Sequence, residues 1–79
     1  MVQGEQTGGV VKVIELVGSS PNSFSDAVRN AVKVASLSVR NIQGVEVIGS
    51  TATVGDDGTL SNYRVNCKVA FLIEAEALG

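Results

Sequence analysis

The sequence predicts an α+β subunit of order β-α-β-β, in which an antiparallel three-stranded sheet wraps around one helix. Three observations predict this class. β-branched residues dominate residues 10–17, which is typical of a strand. Apolar residues then recur at spacings of three and four through residues 24–42, which indicates an amphipathic helix. Two further strand-like segments follow, and an Asp-Gly pair lies between them.

The first strand is predicted over Val10–Val17, where both faces are mostly apolar. A strand of that kind is usually covered on both sides. The next six residues, GSSPNS, have the composition of a turn that begins at Gly18. Asn22 or Ser23 can cap the helix that follows, and with Ser23 as the cap Asp26 takes the third helical position.

The helix is predicted from about Phe24 to about Asn41, with one broad apolar stripe along it. Val34 and Leu37 fall off the stripe. They are either ordinary exposed residues or contacts to a neighbouring subunit. The stripe itself is formed by Phe24, Ala27, Val28, Ala31, Val32, Ala35, Val39 and Ile42.

Gly44 follows the helical pattern, and a glycine in a left-handed conformation is a common helix end. The second strand is predicted over Val45–Val54, with Gly49 as a bulge or a site of close approach. Asp57-Gly58 predicts a hairpin turn, and the third strand is predicted over Leu60–Ile73. The apolar face of that strand carries Tyr63, Val65, Cys67, Val69, Phe71 and Ile73.

Composition excludes several classes of protein. Six basic and eight acidic residues give a net charge of −2 without a basic patch, so no nucleic-acid partner is expected. No apolar run is long enough to cross a membrane, and a cytoplasmic protein is predicted. One cysteine and no histidine exclude a disulfide within the chain and argue against a Cys/His zinc site.

The 79 residues allow one domain, which is predicted over residues 10–74. Polar, glycine-rich residues 1–9 are predicted to be a disordered tail, and residues 75–79 a second tail. One core in so short a chain rarely supplies more than about 3–5 kcal/mol. Because the helix covers only one sheet face, a homo-oligomer is predicted.

Four segments follow one another along the chain: VIELVGSSP, the helix opening SFSDAVRNAV, the strand start VEV and the closing pattern YRVNCKVAF. In this order they closely resemble the dodecin family. The resemblance covers about Val10 to Glu74. It implies a β-α-β-β subunit in a hollow homo-oligomer, a dodecamer. It also implies a protein that binds flavins (riboflavin, FMN or FAD) and stores them without catalysis. Some members of the family bind coenzyme A, and some are described as calcium-binding.

The resemblance implies two site positions, and this chain departs from the family at both. Gly44 stands where flavin-binding members have a tryptophan that stacks on the flavin ring. Arg64 stands where they have a glutamine that bonds its polar edge. Stacked rings are worth about 1–3 kcal/mol per contact, so flavin affinity is predicted to be weaker here. Arg64 could stack as a planar cation, bind a phosphate, or pair with Glu15 or Glu46 across the sheet or across a subunit boundary.

The remaining polar candidates have simpler interpretations. Asp56-Asp57-Gly58 lacks the spaced oxygen ligands of a calcium loop and is predicted to be a turn, although a calcium or magnesium ion could be shared between subunits. Cys67 is predicted to be a buried, inert thiol. Ser19 and Ser20 lack a histidine partner, so no enzyme is predicted. The rival to a cofactor store is a structural or ion-binding shell without flavin.

Overall fold

The protein is described by a computed structural model that covers residues 9–73. Three strands form one antiparallel sheet in the order β1-β3-β2, with one helix between the first two strands in the chain, which confirms the predicted class. The elements are β1 (Val10–Ser20), α1 (Phe24–Ala35), β2 (Ile42–Val54) and β3 (Leu60–Ile73). The tail predictions, except at Gly9, lie outside the described residues. Within residues 9–73, no helix is long and apolar enough to cross a bilayer.

Gly18 lies within β1 and does not begin a turn, because the strand continues to Ser20. Gly18 pairs with Val65 of β3 on the sheet face that the helix covers. A Cβ atom at this position would collide with the carbonyl oxygen of Ala27 and lie 2.8 Å from the Cβ of Ala31. The glycine therefore lets the helix backbone approach the strand closely, which is why the turn prediction at this residue was wrong.

Ser23 caps the helix, as the sequence predicts. Its backbone is extended, and its Oγ accepts a 3.0 Å hydrogen bond from the N–H of Asp26. The carboxylate of Asp26 accepts a 2.8 Å bond from the hydroxyl of Ser20, which is 3% exposed. The cap thus ties the end of β1 to the first turn of α1.

Replacing Ser23 with alanine is expected to lower the free energy of unfolding by about 1 kcal/mol, the usual cost of a lost N-cap. The matched control is Ser38→Ala, at an exposed serine just after the helix. That change is expected to stay within about 0.5 kcal/mol. Urea unfolding followed by circular dichroism compares the two variants, and equal losses would contradict the capping role.

The helix ends at Ala35, six residues before the predicted end at Asn41. The C-cap is Ser36, whose hydroxyl donates a 2.7 Å bond to the carbonyl of Lys33. Serine competes for backbone groups in this way and disfavours continuation of a helix. Asn41 then adopts a left-handed conformation (φ 63°) and turns the chain into β2.

Gly44 does not end the helix, so that interpretation was wrong. It lies in β2, which begins at Ile42, and Gly58 is the only described glycine with a left-handed φ. The ladder between β2 and β3 is irregular between Ile42 and Gly44, and again between Val47 and Gly49. The bulge predicted at Gly49 is confirmed. The Asp57-Gly58 turn is also confirmed, with φ 84° at Gly58.

The core lies between α1 and one sheet face, called here the inner face. Val65, Cys67 and Val69 of β3 point to this face and are buried, as the predicted alternation requires. Val65 and Cys67 pack with Ala27 and Ala31 of the helix. Small helix residues let α1 lie close over β1 and β3.

The helix leaves the inner face of β2 partly open. Val45 and Val47 pair with Val69 and Cys67 on that face, yet they are 42% and 53% exposed. One helix therefore shields only part of one face, and the apolar remainder of the sheet stays open within a single chain.

Candidate functional site

Both predicted site residues lie on the outer face of the sheet, opposite the helix. Residues paired across an antiparallel ladder share a face. Each outward-facing residue of the central strand β3 therefore forms a row with its partners on β1 and β2. The rows are Val13, Ala70 and Gly44; Glu15, Lys68 and Glu46; Val17, Asn66 and Gly49; and Ser19, Arg64 and Thr51. Gly44 and Arg64 thus occupy the first and the last of four consecutive rows.

Gly44 is exposed on β2, beside Ala70 of the central strand. A Cβ atom added there would meet no other atom within 4 Å, apart from its chain neighbours. Since φ at Gly44 is not left-handed, its backbone accepts other residue types without strain. The structure therefore leaves room for a large side chain at the position where the resemblance expects a tryptophan.

Arg64 is exposed, and its row neighbours are two serine and threonine residues, Ser19 and Thr51. The predicted ion pairs with Glu15 or Glu46 do not form within residues 9–73. Both carboxylates flank Lys68, four residues further along β3, and four strand residues span about 13 Å. The carboxylate of Glu15 accepts a 3.0 Å bond from the amide of Asn66.

Two hollows adjoin Arg64, which lines both. The first, called here the serine hollow, has a volume of about 370 Å³ and is lined by Ser19, Ser20, Pro21, Asn62 and Arg64. The second, the threonine hollow, has a volume of about 460 Å³ and is lined by Val17, Gly49, Ser50, Thr51, Arg64 and Asn66. The guanidinium of Arg64 is therefore the cationic group that the two hollows share.

A single chain does not bring Gly44 and Arg64 together. Gly44 pairs with Ala70 of β3, and Ala70 lies six residues along that strand from Arg64. Six strand residues span about 20 Å. A ligand that touches both positions at once would need them from different copies of the chain. The combined site between subunits accordingly remains a prediction.

The other polar candidates are engaged in the fold. Burial raises the pKa of the Cys67 thiol, which keeps it protonated and unreactive. The side chain of Thr59 donates a 2.7 Å bond to the carboxylate of Asp57, and with the backbone N–H of Thr59 it lowers the pKa of Asp57. Within the described part of the chain, no three acidic or cysteine side chains cluster to hold a metal ion.

Three neighbours of Arg64 were not predicted from the sequence as site residues. Asn62 and Asn66 could have been found, because alternation along β3 places them on the face of Arg64. Asn62 adopts a left-handed conformation (φ 50°), which the sequence did not signal. Thr51 could not have been found, because its pairing with Arg64 depends on two ladder irregularities earlier in β2.

Comparison with known proteins gives consistent matches. The family model described as Dodecin matches residues 10–74. "Calcium dodecin" from Mycobacterium tuberculosis is 37% identical over 62 residues, which cover 78% of this chain and 86% of the relative.

Solved structures agree with these matches. A dodecin from Streptomyces coelicolor is similar with a TM-score of 0.80 and 33% identity, covering 87% of this chain and 97% of the other. The crystal structure of calcium dodecin from Mycobacterium tuberculosis, described as having a novel calcium-binding site, gives a TM-score of 0.69 and 35% identity. That match covers 82% of this chain and 91% of the other.

Proposed function

This chain belongs to the dodecin family, and from that premise we propose that it is a cytoplasmic homo-oligomer that binds and stores a small cofactor without catalysing a reaction. The cofactor class is a flavin, with coenzyme A as a further ligand of the same kind of protein. The binding site is formed between copies of the chain, near Gly44 of one copy and Arg64 of another.

The observation that carries the proposal is the amount of apolar surface left open by one chain. Thirteen large apolar side chains within residues 9–73 are at least 36% exposed. They lie on both sheet faces, on the helix and in the segment just after it, with Val17 at 64% and Leu37 at 83%. A monomer rarely exposes so much apolar surface, so copies of the chain are the natural cover. We propose twelve copies, as in the family.

The open surface at Gly44 supports a binding role rather than a purely structural one. A Cβ atom at this position would meet no atom within 4 Å other than its chain neighbours, so glycine leaves open space on the outer face. When a second copy covers that face, the space becomes a cleft between subunits. A planar ring fits such a cleft, and the missing aromatic partner makes its binding weaker than in flavin-binding members.

Two measurements on the purified protein test this proposal together. Light scattering is expected to give the mass of a dodecamer, and added riboflavin or FMN is expected to lose fluorescence when it binds. A single compact copy in dilute solution would contradict the assembly and the intersubunit site. A dodecamer that leaves the fluorescence of both flavins unchanged would contradict the flavin class alone.

A calcium-binding shell is the second candidate, because a 37% identical relative carries the name calcium dodecin. Glu15 and Glu46 are exposed and lie in one row on the outer face, where a second copy could add further oxygen ligands. In this case the protein would leave flavin fluorescence unchanged, and a chelator would lower its unfolding temperature. Calcium would then restore the lost stability.

A further inference from the structure

The surroundings of Arg64 are chemically unlike the rest of the outer face. The neighbouring cation on β3, Lys68, has two acidic residues, Glu15 and Glu46, as its partners in the row. Arg64 has hydroxyl residues in the equivalent positions, and no carboxylate within residues 9–73 forms an ion pair with it. An arginine presents five N–H donors in a planar fork and keeps its charge at any physiological pH. This guanidinium therefore has free donors facing two hollows.

The neighbours of the guanidinium add donors and no negative charge. Ser19 and Thr51 stand on either side of it, on strands about 4.8 Å from β3. The carbonyl of Ser19 already accepts a 2.9 Å bond from the amide of Asn30, while its hydroxyl is engaged in no described hydrogen bond. Three donor side chains thus form one row across the sheet.

The main chain beside this row is held in an unusual conformation. Asn62 has φ 50°, one of two left-handed residues other than glycine within residues 9–73. Asn62 lies where the ladder between β2 and β3 shifts register, between the pairs formed by Arg64 and Ser61, and asparagine adopts this conformation more easily than most residues. Asn62 lines the serine hollow, so its amide is a further donor at the same place.

The carboxylate of Asp26 is bonded to Ser20, which lines the serine hollow, and it limits which part of this hollow can bind an anion. The hydroxyl of Ser20 donates to Asp26 and accepts from the N–H of Asn22, so it is already satisfied. Its pairing with Tyr63 places Ser20 on the inner face, whereas Ser19 and Arg64 share the outer face. The anion-binding side of the hollow is consequently the one that Ser19, Asn62 and Arg64 form.

We propose that Arg64, Ser19, Thr51 and Asn62 bind the phosphate group of a phosphorylated ligand. This inference rests on the proposed function and deepens it, because it makes the stored cofactor a phosphate ester such as FMN, FAD or coenzyme A, with riboflavin the poorer ligand. Each hollow is large enough for a phosphate, and arginine binds phosphate oxygens through two parallel hydrogen bonds.

The test compares FMN with riboflavin, which differ by the phosphate alone, on the full chain. Wild-type protein is expected to bind FMN about tenfold more tightly, since hydrogen bonds to a charged group are worth about 1.5–3 kcal/mol. Arg64→Gln is expected to abolish this preference because it removes the phosphate contact, and its riboflavin affinity is expected to stay the same or to rise, since flavin-binding members of the family have a glutamine at this position. Lys68→Gln removes the same charge from the same strand and face, and is expected to keep the preference.

A second measurement uses inorganic pyrophosphate alone and requires no flavin. It is expected to raise the unfolding temperature of wild-type protein and of Lys68→Gln, but not of Arg64→Gln, relative to sodium chloride at equal ionic strength. If neither flavin binds but pyrophosphate stabilises in this pattern, the phosphate site stands and the flavin store fails.

Three results would overturn the inference. Equal affinities for FMN and riboflavin in wild type would overturn it and leave the flavin store intact. If the affinities for FMN and riboflavin are equal but pyrophosphate raises the unfolding temperature, the site binds free oxyanions and not a phosphorylated cofactor. A preference for FMN that survives in Arg64→Gln would place the phosphate elsewhere.

Discussion

Replacing Gly18 with alanine is expected to remove a large part of the stability of this protein. The added Cβ atom would collide with the carbonyl oxygen of Ala27 and lie 2.8 Å from the Cβ of Ala31. The first of these atoms is backbone and cannot rotate away, so the whole helix must shift outward. Overpacking of a core costs about 1–3 kcal/mol, and one core in a chain of this size supplies only about 3–5 kcal/mol.

The matched control adds the same methyl group where space is free. Gly49 also lies in a strand, and a Cβ atom there meets nothing within 4 Å. Urea unfolding of Gly18→Ala and Gly49→Ala, at one protein concentration and with light scattering alongside, separates helix displacement from loss of assembly. Similar unfolding midpoints for the two variants would show that the helix does not lie against Gly18 as described.

Replacing Gly44 with tryptophan is expected to raise flavin affinity by about tenfold to a hundredfold, because a stacked aromatic ring is worth about 1–3 kcal/mol. The fold does not oppose the change. Gly44 has an ordinary strand conformation, and its side-chain direction is open on the outer face. The new indole supplies the stacking surface that the wild-type chain lacks.

Fluorescence quenching of riboflavin measures the gain, and Val54→Trp serves as the control. Val54 is 64% exposed at the far end of the same strand, so this variant adds an indole away from the expected cleft. An equal gain in both variants would mean unspecific stacking, and no gain in Gly44→Trp would mean that no cleft forms there. In the double variant Gly44→Trp, Arg64→Gln, we expect high riboflavin affinity without a preference for FMN.

The order of the elements was predictable because each is specified locally. The alternation of β3 and the three-and-four spacing of α1 correctly predict core residues such as Val65 and Ala31, although Phe24 and Ile73 at the ends of the predicted faces are exposed. The boundaries were less predictable. Val39 and Ile42 continue the helical spacing by coincidence, whereas Ser36 and Asn41 control where the helix ends and the strand begins. Gly18 has the composition of a turn residue, but tertiary packing determines its role.

The candidate site was only partly predictable. Gly44 and Arg64 could be named from the resemblance, and their place on one sheet face follows from alternation. Their separation along β3 could not be foreseen, because irregularities in the ladder of β2 shift the register between them. The partners of Glu15 and Glu46 depend on the same register, which is why neither forms an ion pair with Arg64 within residues 9–73 of one chain. An ion pair across a subunit boundary stays a prediction.

Cys67 gives this fold a probe of its own motion. Its thiol is fully enclosed between the sheet and Ala27 and Ala31 of the helix, and it is the chain's single cysteine. A thiol reagent can react there only during the moments when the two layers part. The rate at which the Cys67 thiol is modified therefore measures how often the helix and the sheet separate locally in the wild-type protein, with no label or substitution required.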